Sequence, residues 1–263
     1  MPVFYFLKGD ELLSRETPDP EAEVMPDIRW GRFDVLFTPA YWMTQYWIRE
    51  GSIPAFGHRL GSTFEEEVIA CLLGGHGIPA EVGIAAFHRL RDRGVFESLS
   101  CSYELLSAHL KEPLIVGERR VTYRFWSQKA RYIEAALHSL RTEVVPMESS
   151  VLLRDYLMCL PGVGPKTASW IVRNWLHSNE VAILDIHVIR AGLLMNLFSS
   201  EDKVEKDYMK MERRFLSFVK ALEVEASHLD ALFWNEMRST PHIVSTCLTG
   251  SRQPQITGSL LHS

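Results

Sequence analysis

The chain has 263 residues, of which 46% are hydrophobic and 11% aromatic, enough to bury one large core or two smaller cores that share a cleft. Its formal net charge of -5 excludes a globally basic surface, so any nucleic-acid binding must come from a local patch. The first residues contain no basic leader, and no apolar run approaches the ~18 residues of a membrane helix. We therefore expect a cytoplasmic protein without a membrane partner. We also expect a monomer.

The four cysteines are scattered singly along the chain. They lack the close pairs that zinc sites and thiolate-bound iron clusters use. We therefore expect reduced thiols in or near the core, at Cys71, Cys101, Cys159 and Cys247.

Helical signals dominate after a short N-terminal portion. Prolines and glycines interrupt residues 1–62, where VFYFL and FDVLF could form strands, and a first helix starts near Thr63 and stops at the Gly74, Gly75, Gly77 cluster. Residues 63–238 form a helical body, and residues 239–263 are polar and read as a loosely held tail. Further helices are predicted over Ala80 to Arg93, Cys101 to Leu110, Tyr123 to Arg141, Glu148 to Met158, Pro165 to His177, Ile186 to Leu197, Lys203 to Leu222 and Ser227 to Met237.

The most informative stretch is the turn Leu160-Pro161-Gly162-Val163-Gly164-Pro165-Lys166, at residues 159–166 between two predicted helices. Gly162 and Gly164 permit a tight turn, and Pro165 suits the first position of a helix. The free N–H groups of such a helix start can bind a phosphate without a basic side chain. Alone, the turn is equally compatible with an ordinary helix-turn-helix corner that carries a solvated lysine.

The helix after this turn separates into two faces. Helical spacing predicts a buried stripe of Ala168, Ile171, Val172, Trp175 and Leu176, and an opposite face of Lys166, Trp170, Arg173 and His177. A cation is electrostatically unfavourable at a helix start, which favours the neutral amine of Lys166. A neutral amine is a usable nucleophile.

Asp185 follows an apolar run 19 positions after Lys166 and precedes another predicted helix. A plain N-cap is the simplest interpretation of such an aspartate. A partly solvated carboxylate here would also act strongly on a developing cation.

In LPGVGPK (Leu160 to Lys166) and LDIHVIR (Leu184 to Arg190), the chain resembles the helix-hairpin-helix DNA glycosylase superfamily. The lysine directly after the hairpin places it nearest the 8-oxoguanine glycosylase/lyase branch. Further likeness at LLGGHG and YRFWSQKARYI extends the resemblance over about Phe64 to Met237. The chain departs from the endonuclease and adenine-glycosylase branches, because a C-terminal four-cysteine iron–sulfur motif is missing, and the first 60 or so residues match no part of the family.

The resemblance implies a mainly α, two-lobed enzyme that excises a damaged base, 8-oxoguanine, from duplex DNA. Lys166 would attack C1' and form a Schiff base that leads to strand cleavage, with Asp185 stabilising positive charge on the sugar. No cofactor is required by this chemistry, and in a bacterium such an enzyme would be associated with the nucleoid. The resemblance also implies a monovalent cation on the backbone carbonyls of Met158, Leu160 and Val163, and DNA contacts from the hairpin residues Gly162, Val163 and Gly164.

Several other residues have two open interpretations. Trp170 can stack on a flipped base or pack against protein. The resemblance implies that His76 fills the gap left by that base, and the alternative is an ordinary loop residue. By resemblance His187 lies near the DNA backbone, whereas Arg190 is either a DNA contact or an ion-pair partner. Phe233 and Trp234 are predicted to be core residues. A basic run either tracks phosphates or forms a solvated helix face, and it comprises Arg119, Arg120, Arg124, Lys129 and Arg131.

Three other functions remain compatible with these patterns. The chain could be a glycosylase for an alkylated purine, an oxidised pyrimidine or a hypermodified base, because the catalytic pair does not read the base. It could be a non-catalytic DNA-binding protein, although phosphate binding requires neither Lys166 nor Asp185. It could also be an unrelated helical scaffold, which would show no salt-sensitive DNA binding.

Overall fold

The computed structural model describes residues 2–50, 59–75, 77–98 and 101–250. The predicted mainly helical fold class is confirmed. The helices are α1 (Pro39–Arg49), α2 (Phe64–Leu73), α3 (Ala80–Asp92), α4 (Val95–Ser98), α5 (Tyr103–Lys111), α6 (Trp126–Thr142), α7 (Ser150–Met158), α8 (Pro165–Leu176), α9 (Ile186–Leu194), α10 (Val204–Ala221), α11 (Ala226–Ser239) and α12 (Pro241–Leu248). The strands are β1 (Val3–Lys8), β2 (Glu11–Glu16), β3 (Glu23–Met25), β4 (Ile28–Arg29), β5 (Leu114–Val116) and β6 (Arg119–Val121).

The strands form three separate antiparallel pairs, β1–β2, β3–β4 and β5–β6. The first predicted strand, VFYFL, is confirmed as part of β1. The second prediction is wrong, because residues 33–37 form turns with a single bridge at Val35. The helix that follows them begins with two strong start signals: Thr38 accepts the Tyr41 N–H at 3.1 Å, and Pro39 occupies the first turn.

The chain divides into two compact units, residues 1–55 with 179–263, and residues 56–178. We call them the terminal unit and the central unit. The terminal unit buries an aromatic core in which Trp42 of α1 lies with its ring centroid 4.4 Å from that of Phe233 on α11. Burial of large rings of this kind contributes roughly 3 to 5 kcal/mol each, judged by their truncation to alanine.

The segment after residue 239 is more structured than predicted. It forms α12, which contacts α9 and α11, and the side chain of Val244 is buried. The expectation of a loosely held tail is therefore wrong for residues 241–248, because an apolar face in this short helix has a partner to pack against.

The central unit contains α2 to α8 and the β5–β6 hairpin. In this unit α6 packs against α2 and α5, and α8 packs against α2 and α7. None of the helices in the described part of the chain is long and apolar enough to span a membrane.

Candidate nucleic-acid and catalytic site

The hairpin between α7 and α8 is tight because of its glycines. Gly162 has φ 83°, a conformation that favours glycine, and a methyl group built on it would lie 2.2 Å from Cδ2 of Tyr132 on α6. Gly164 is the N-cap of α8, with open space where a side chain would project. The backbone at residues 162–164 can therefore approach another molecule closely.

The start of α8 has free backbone donors. Its first intrahelical bond runs from Ala168 N–H to the Gly164 carbonyl at 2.9 Å, and Gly164 supplies no side-chain cap. Within the described ranges, the backbone N–H groups of Lys166 and Thr167 make no hydrogen bond. Such uncapped donors with the positive end of the helix dipole suit a phosphate.

Val163 contributes to the hairpin differently from the two glycines. Its side chain is buried, and its N–H donates to the Leu160 carbonyl at 3.1 Å. Only the carbonyl of Val163 is left for an outside partner. The three backbone carbonyls predicted to bind a cation belong to the half-buried Met158 and the buried Leu160 and Val163. The Leu160 oxygen already accepts one hydrogen bond.

Lys166 is exposed in the first turn of α8, in the central unit. Its side chain makes no hydrogen bond and no ion pair within the residues that the structure describes. The amine is therefore available to an incoming molecule.

The face of α8 that carries Lys166 is narrower than predicted. Burial of Ala168, Ile171 and Val172 is confirmed, but Arg173, predicted on the open face, is only 2% exposed. The reason is that α8 contacts both α2 and α7, which buries a broad sector of the helix that includes Ser169 and Asn174. Trp170 is half-buried one turn after Lys166, and Trp175 and Leu176, predicted buried, are also half-buried.

Asp185 lies in the terminal unit as the N-cap of α9. Its Oδ1 accepts the backbone N–H groups of His187 and Val188, both at 2.9 Å. Over the described segments its other oxygen, Oδ2, accepts no hydrogen bond. The half-buried carboxylate therefore caps the helix with one oxygen and retains the other.

An exposed aromatic residue accompanies Asp185 in the terminal unit. Trp234 of α11 is 39% exposed, its ring centroid lies 6.3 Å from that of His187, and the two rings are nearly perpendicular. The Arg238 guanidinium lies 4.6 Å from the Trp234 ring. Burial of Phe233 is confirmed, but the prediction that Trp234 is a core residue is wrong.

The helical spacing of the apolar residues in α11 indicates that Trp234 is exposed. Leu229, Phe233 and Met237 repeat every four residues and are buried, and Trp234 follows Phe233 by one position, outside that stripe. Residue type alone favoured burial of Trp234, whereas its position along the helix indicates exposure.

Two of the remaining candidates are half-buried on α9. The Nδ1 of His187 is buried and has no hydrogen-bond partner in the described part of the molecule, and Arg190 lies farther along the same helix. His76, the predicted gap-filling residue, lies outside the described residues.

Comparison with known proteins identifies the family. The sequence model of the family described as 8-oxoguanine DNA glycosylase matches residues 58–224. A comparison with curated protein sequences finds no match.

Solved structures show the same fold. The chain is similar to the 8-oxoguanine DNA glycosylase of Thermotoga maritima, with 21% identity and a TM-score of 0.54 over 82% of this chain and 99% of that one. It is similar to the Methanocaldococcus jannaschii 8-oxoguanine glycosylase/lyase in complex with a 15mer DNA containing 8-oxoguanine, with 21% identity, a TM-score of 0.54, and coverage of 75% and 97%. It is also similar to an endonuclease III in a trapped covalent DNA intermediate, with 20% identity, a TM-score of 0.52, and coverage of 74% and 83%.

The resemblance seen in the sequence is thus confirmed. The matched residues 58–224 make up more than half of the chain and include both the hairpin and the Asp185 segment. This chain belongs to the 8-oxoguanine DNA glycosylase family of the helix-hairpin-helix superfamily.

Proposed function

We propose that this chain excises 8-oxoguanine from duplex DNA and cleaves the strand through a Schiff base on Lys166. The observation that carries the proposal is the unpaired, exposed amine of Lys166 directly behind a hairpin with free backbone donors. Family membership and a solved relative described as an 8-oxoguanine glycosylase/lyase support the same activity. A single duplex with one damaged base is the substrate, and the protein acts as a monomer.

The DNA backbone is held by the start of α8. A phosphate accepts the free N–H groups of Lys166 and Thr167, and the open space at Gly164 permits the close approach. The carbonyls of Met158, Leu160 and Val163 can hold a monovalent cation that neutralises part of the phosphate charge. This arrangement explains how a chain with a net charge of -5 grips a polyanion. His187 and Arg190 are further backbone contacts.

The damaged nucleotide leaves the base stack before reaction. Its C1' cannot be reached inside the duplex, so it must rotate into the protein. Unstacking costs a few kcal/mol, and an aromatic surface that stacks on the flipped base recovers roughly 1 to 3 kcal/mol of it. Trp170 and the exposed Trp234 are the two candidates for this contact.

Base release uses the amine of Lys166 as the nucleophile. Its Nζ forms a bond to C1' as the glycosidic C1'–N bond breaks, and the base leaves with the electron pair and takes up a proton. The nitrogen then loses a proton and its lone pair expels the ring oxygen O4', which takes up a proton, giving a protonated imine to the opened sugar and a free hydroxyl.

Strand cleavage follows from the imine. Loss of a proton from C2' forms a C2'–C3' double bond while the C3'–O3' bond breaks, and the 3' phosphate leaves. Water then hydrolyses the imine and restores the lysine. These reaction steps require neither a metal ion nor an organic cofactor.

Asp185 stabilises the positive charge that develops on the sugar as the base departs. Its uncommitted Oδ2 is the oxygen for this role, because Oδ1 is occupied by the α9 backbone. A fixed carboxylate in a partly buried position acts more strongly on a cation than one in water does.

Borohydride trapping tests the proposal directly. The parent chain, incubated with an 8-oxoguanine duplex and borohydride, is expected to give a covalent protein–DNA product that survives denaturing electrophoresis. Lys166→Gln is expected to lose the product and the strand nick, while Lys220→Gln, an exposed lysine of the terminal unit, keeps both. Trapping by Lys166→Gln at the parent level would overturn the assignment, because another amine would then be the nucleophile.

The base is tested separately with duplexes that carry one alkylated purine, one oxidised pyrimidine or one hypermodified base. Faster release of one of these bases than of 8-oxoguanine would identify that base as the substrate. The proposed role of Lys166 would be unchanged. Binding of all duplexes without any base release would indicate a non-catalytic DNA-binding protein.

A further inference from the structure

A second set of cations lies in the central unit away from the hairpin. The five side chains are exposed and lie at the end of α5, on β6, in the segment before α6 and in the second turn of α6. Residues 111–131 contain six Lys or Arg and two Glu, a formal charge of +4 within a chain of -5. We call the exposed set the basic strip; it comprises Lys111, Arg119, Arg120, Arg124 and Arg131.

The strip is not neutralised by carboxylates. Among the described residues, none of its five members forms a salt bridge. The arginines at the end of the neighbouring α3 are different: Arg91 in its last turn pairs with Glu66 at 2.9 Å, and Arg93, the C-cap residue, pairs with Glu112 at 3.2 Å. Glu112, a carboxylate next to Lys111, is therefore engaged by Arg93 rather than by the strip. Glu118, the other carboxylate of residues 111–131, precedes Arg119 and forms no salt bridge in the described part of the chain.

Aromatic rings, rather than acids, position three of the five cations. The Lys111 amine lies 5.3 Å from the Trp126 ring, the Arg124 guanidinium 5.1 Å from Phe125, and the Arg131 guanidinium 5.4 Å from Tyr103. A cation held over a ring keeps its N–H donors free for another acceptor. Phosphate oxygens are negatively charged hydrogen-bond acceptors, and their geometry matches the paired donors of an arginine guanidinium.

The β5–β6 hairpin adds the other two arginines. Arg119 pairs with Val116 and Arg120 with Ile115, so the two guanidinium groups extend to opposite sides of the ribbon. Ile115 beside them is 59% exposed. The ribbon is short and separate from the other strands, and its long basic side chains project freely.

The strip adjoins the turn that follows α2. A methyl group built on Gly77 of that turn would lie 3.7 Å from the Phe125 ring, on which Arg124 stacks. Lys129, predicted as a member of the same basic run, is a different case. Its amine donates to the carbonyls of Leu72 at 2.5 Å and Gly74 at 3.0 Å and so caps α2.

We propose that the basic strip binds the phosphate backbone of duplex DNA as a second grip, distinct from the helix-hairpin-helix hairpin. The inference extends the proposed function, on which it rests for the identity of the polyanion. It supplies what the hairpin lacks, namely side-chain cations that release counterions from DNA. Each phosphate neutralised in this way steepens the salt dependence of binding by about 0.9 in log K against log salt.

The test compares two triple variants of the full chain on an undamaged duplex of about 25 base pairs. The first variant, Arg119→Gln/Arg120→Gln/Arg124→Gln, removes three members of the strip. The second, Arg141→Gln/Lys206→Gln/Lys220→Gln, removes the same charge from exposed positions at the far end of α6 and in the terminal unit. Fluorescence anisotropy gives the Kd at several salt concentrations, and thermal unfolding checks that both variants are folded.

The strip variant is expected to bind at least about tenfold more weakly than the parent at low salt, with a salt slope shallower by about 1 to 2, because Arg119 and Arg120 extend to opposite sides of the ribbon. The control variant should lose no more than about threefold. Equal loss by the two variants would overturn the proposal, as would parent-like binding by the strip variant, which would direct the search to RNA or an acidic protein. Because undamaged DNA is used, the result stands apart from borohydride trapping: failure of the Lys166 chemistry would leave this comparison unaffected.

Discussion

The carboxylate oxygen Oδ1 of Asp185 accepts the backbone N–H of Val188 at 2.9 Å, and the same oxygen accepts the His187 N–H. The N-cap interpretation of the sequence is therefore confirmed as a structural role. It does not compete with the catalytic hypothesis, because one oxygen suffices for the cap and the other is left free. The two roles predict different effects of substitution.

Asp185→Asn is expected to keep the fold and DNA binding while reducing base release sharply. Asparagine caps helices about as well as aspartate, so the change in unfolding free energy should stay within about 1 kcal/mol, whereas the charge on the sugar cation is lost. Single-turnover release of the base at saturating protein measures the effect. Asp185→Ala should add a stability loss of about 0.5 to 2 kcal/mol. Release by the asparagine variant at the parent rate would leave only the cap role.

The hairpin glycines should separate folding from DNA binding. Gly162→Ala meets both a positive φ and the Tyr132 ring, so the melting temperature should fall. Gly164→Ala meets open space and negative φ, so the melting temperature should be preserved, but the added methyl should hinder phosphate approach and weaken duplex binding. Thermal unfolding and anisotropy measure the two effects. Parent-like binding by Gly164→Ala would exclude close backbone contact at that residue.

Trp170→Ala is expected to weaken binding to lesion DNA more than to undamaged DNA. Only the flipped base would lose a stacking partner, and the loss of roughly 1 to 3 kcal/mol corresponds to about 5- to 150-fold in Kd. The ratio of the two Kd values is the measurement. An equal loss on both duplexes, or a fall in the melting temperature, would assign Trp170 to packing.

Trp234→Ala provides the parallel case in the terminal unit. Its ring is 39% exposed, so its removal should have little effect on stability, and lesion-specific weakening should report base contact directly. Phe233→Ala is the matched control, because that neighbouring ring is fully buried and its loss should destabilise the fold by about 3 to 5 kcal/mol. Unchanged lesion preference in Trp234→Ala would remove this ring from base recognition.

The free energy of unfolding should fall at alkaline pH because of the buried hydroxyl of Tyr123. Burial raises the pKa of its hydroxyl, which donates to the Leu73 carbonyl at 2.6 Å. In the unfolded chain the tyrosine ionises near pH 10 while the folded one stays protonated, so this contribution to stability is present below about pH 10 and is lost as pH rises. Tyr123→Phe should be less stable at pH 8 by about 0.5 to 1.5 kcal/mol, and the gap to the parent should narrow above pH 10 by up to about 1.4 kcal/mol per pH unit. Denaturant unfolding from pH 8 to 11 measures the gap; a constant gap would contradict the assignment.

Structural features that depend only on a few neighbouring residues could be predicted from the sequence. The hairpin follows from Gly162, Gly164 and Pro165, whose backbone preferences act within a few residues. The cap at Asp185 follows from its position before an apolar helix. Both features are local, so no knowledge of the neighbouring elements was needed to predict them.

Tertiary packing accounts for what the sequence analysis predicted wrongly. Arg173 is buried because α2 and α7 enclose α8 from two sides, and one helical stripe cannot reveal a second partner. Lys129 looks like part of a basic run until the end of α2 supplies its carbonyl acceptors, 55 and 57 residues away in sequence. Contacts between residues so far apart in the chain cannot be recognised from the spacing of neighbouring residues.

Helix α6 contacts two loops at nearly adjacent positions. Lys129 holds the end of α2, and Tyr132 packs beneath Gly162 of the hairpin, three residues later and about 4.5 Å along the helix axis. A continuous helix is stiff over one turn, so the separation of the two loops is set before DNA arrives. If both loops contact the duplex in the proposed complex, a mismatch with the substrate is absorbed by bending the DNA, at a cost of several kcal/mol that depends on base sequence. Lesions flanked by flexible pyrimidine–purine steps would consequently be bound more tightly than the same lesion within a rigid A-tract.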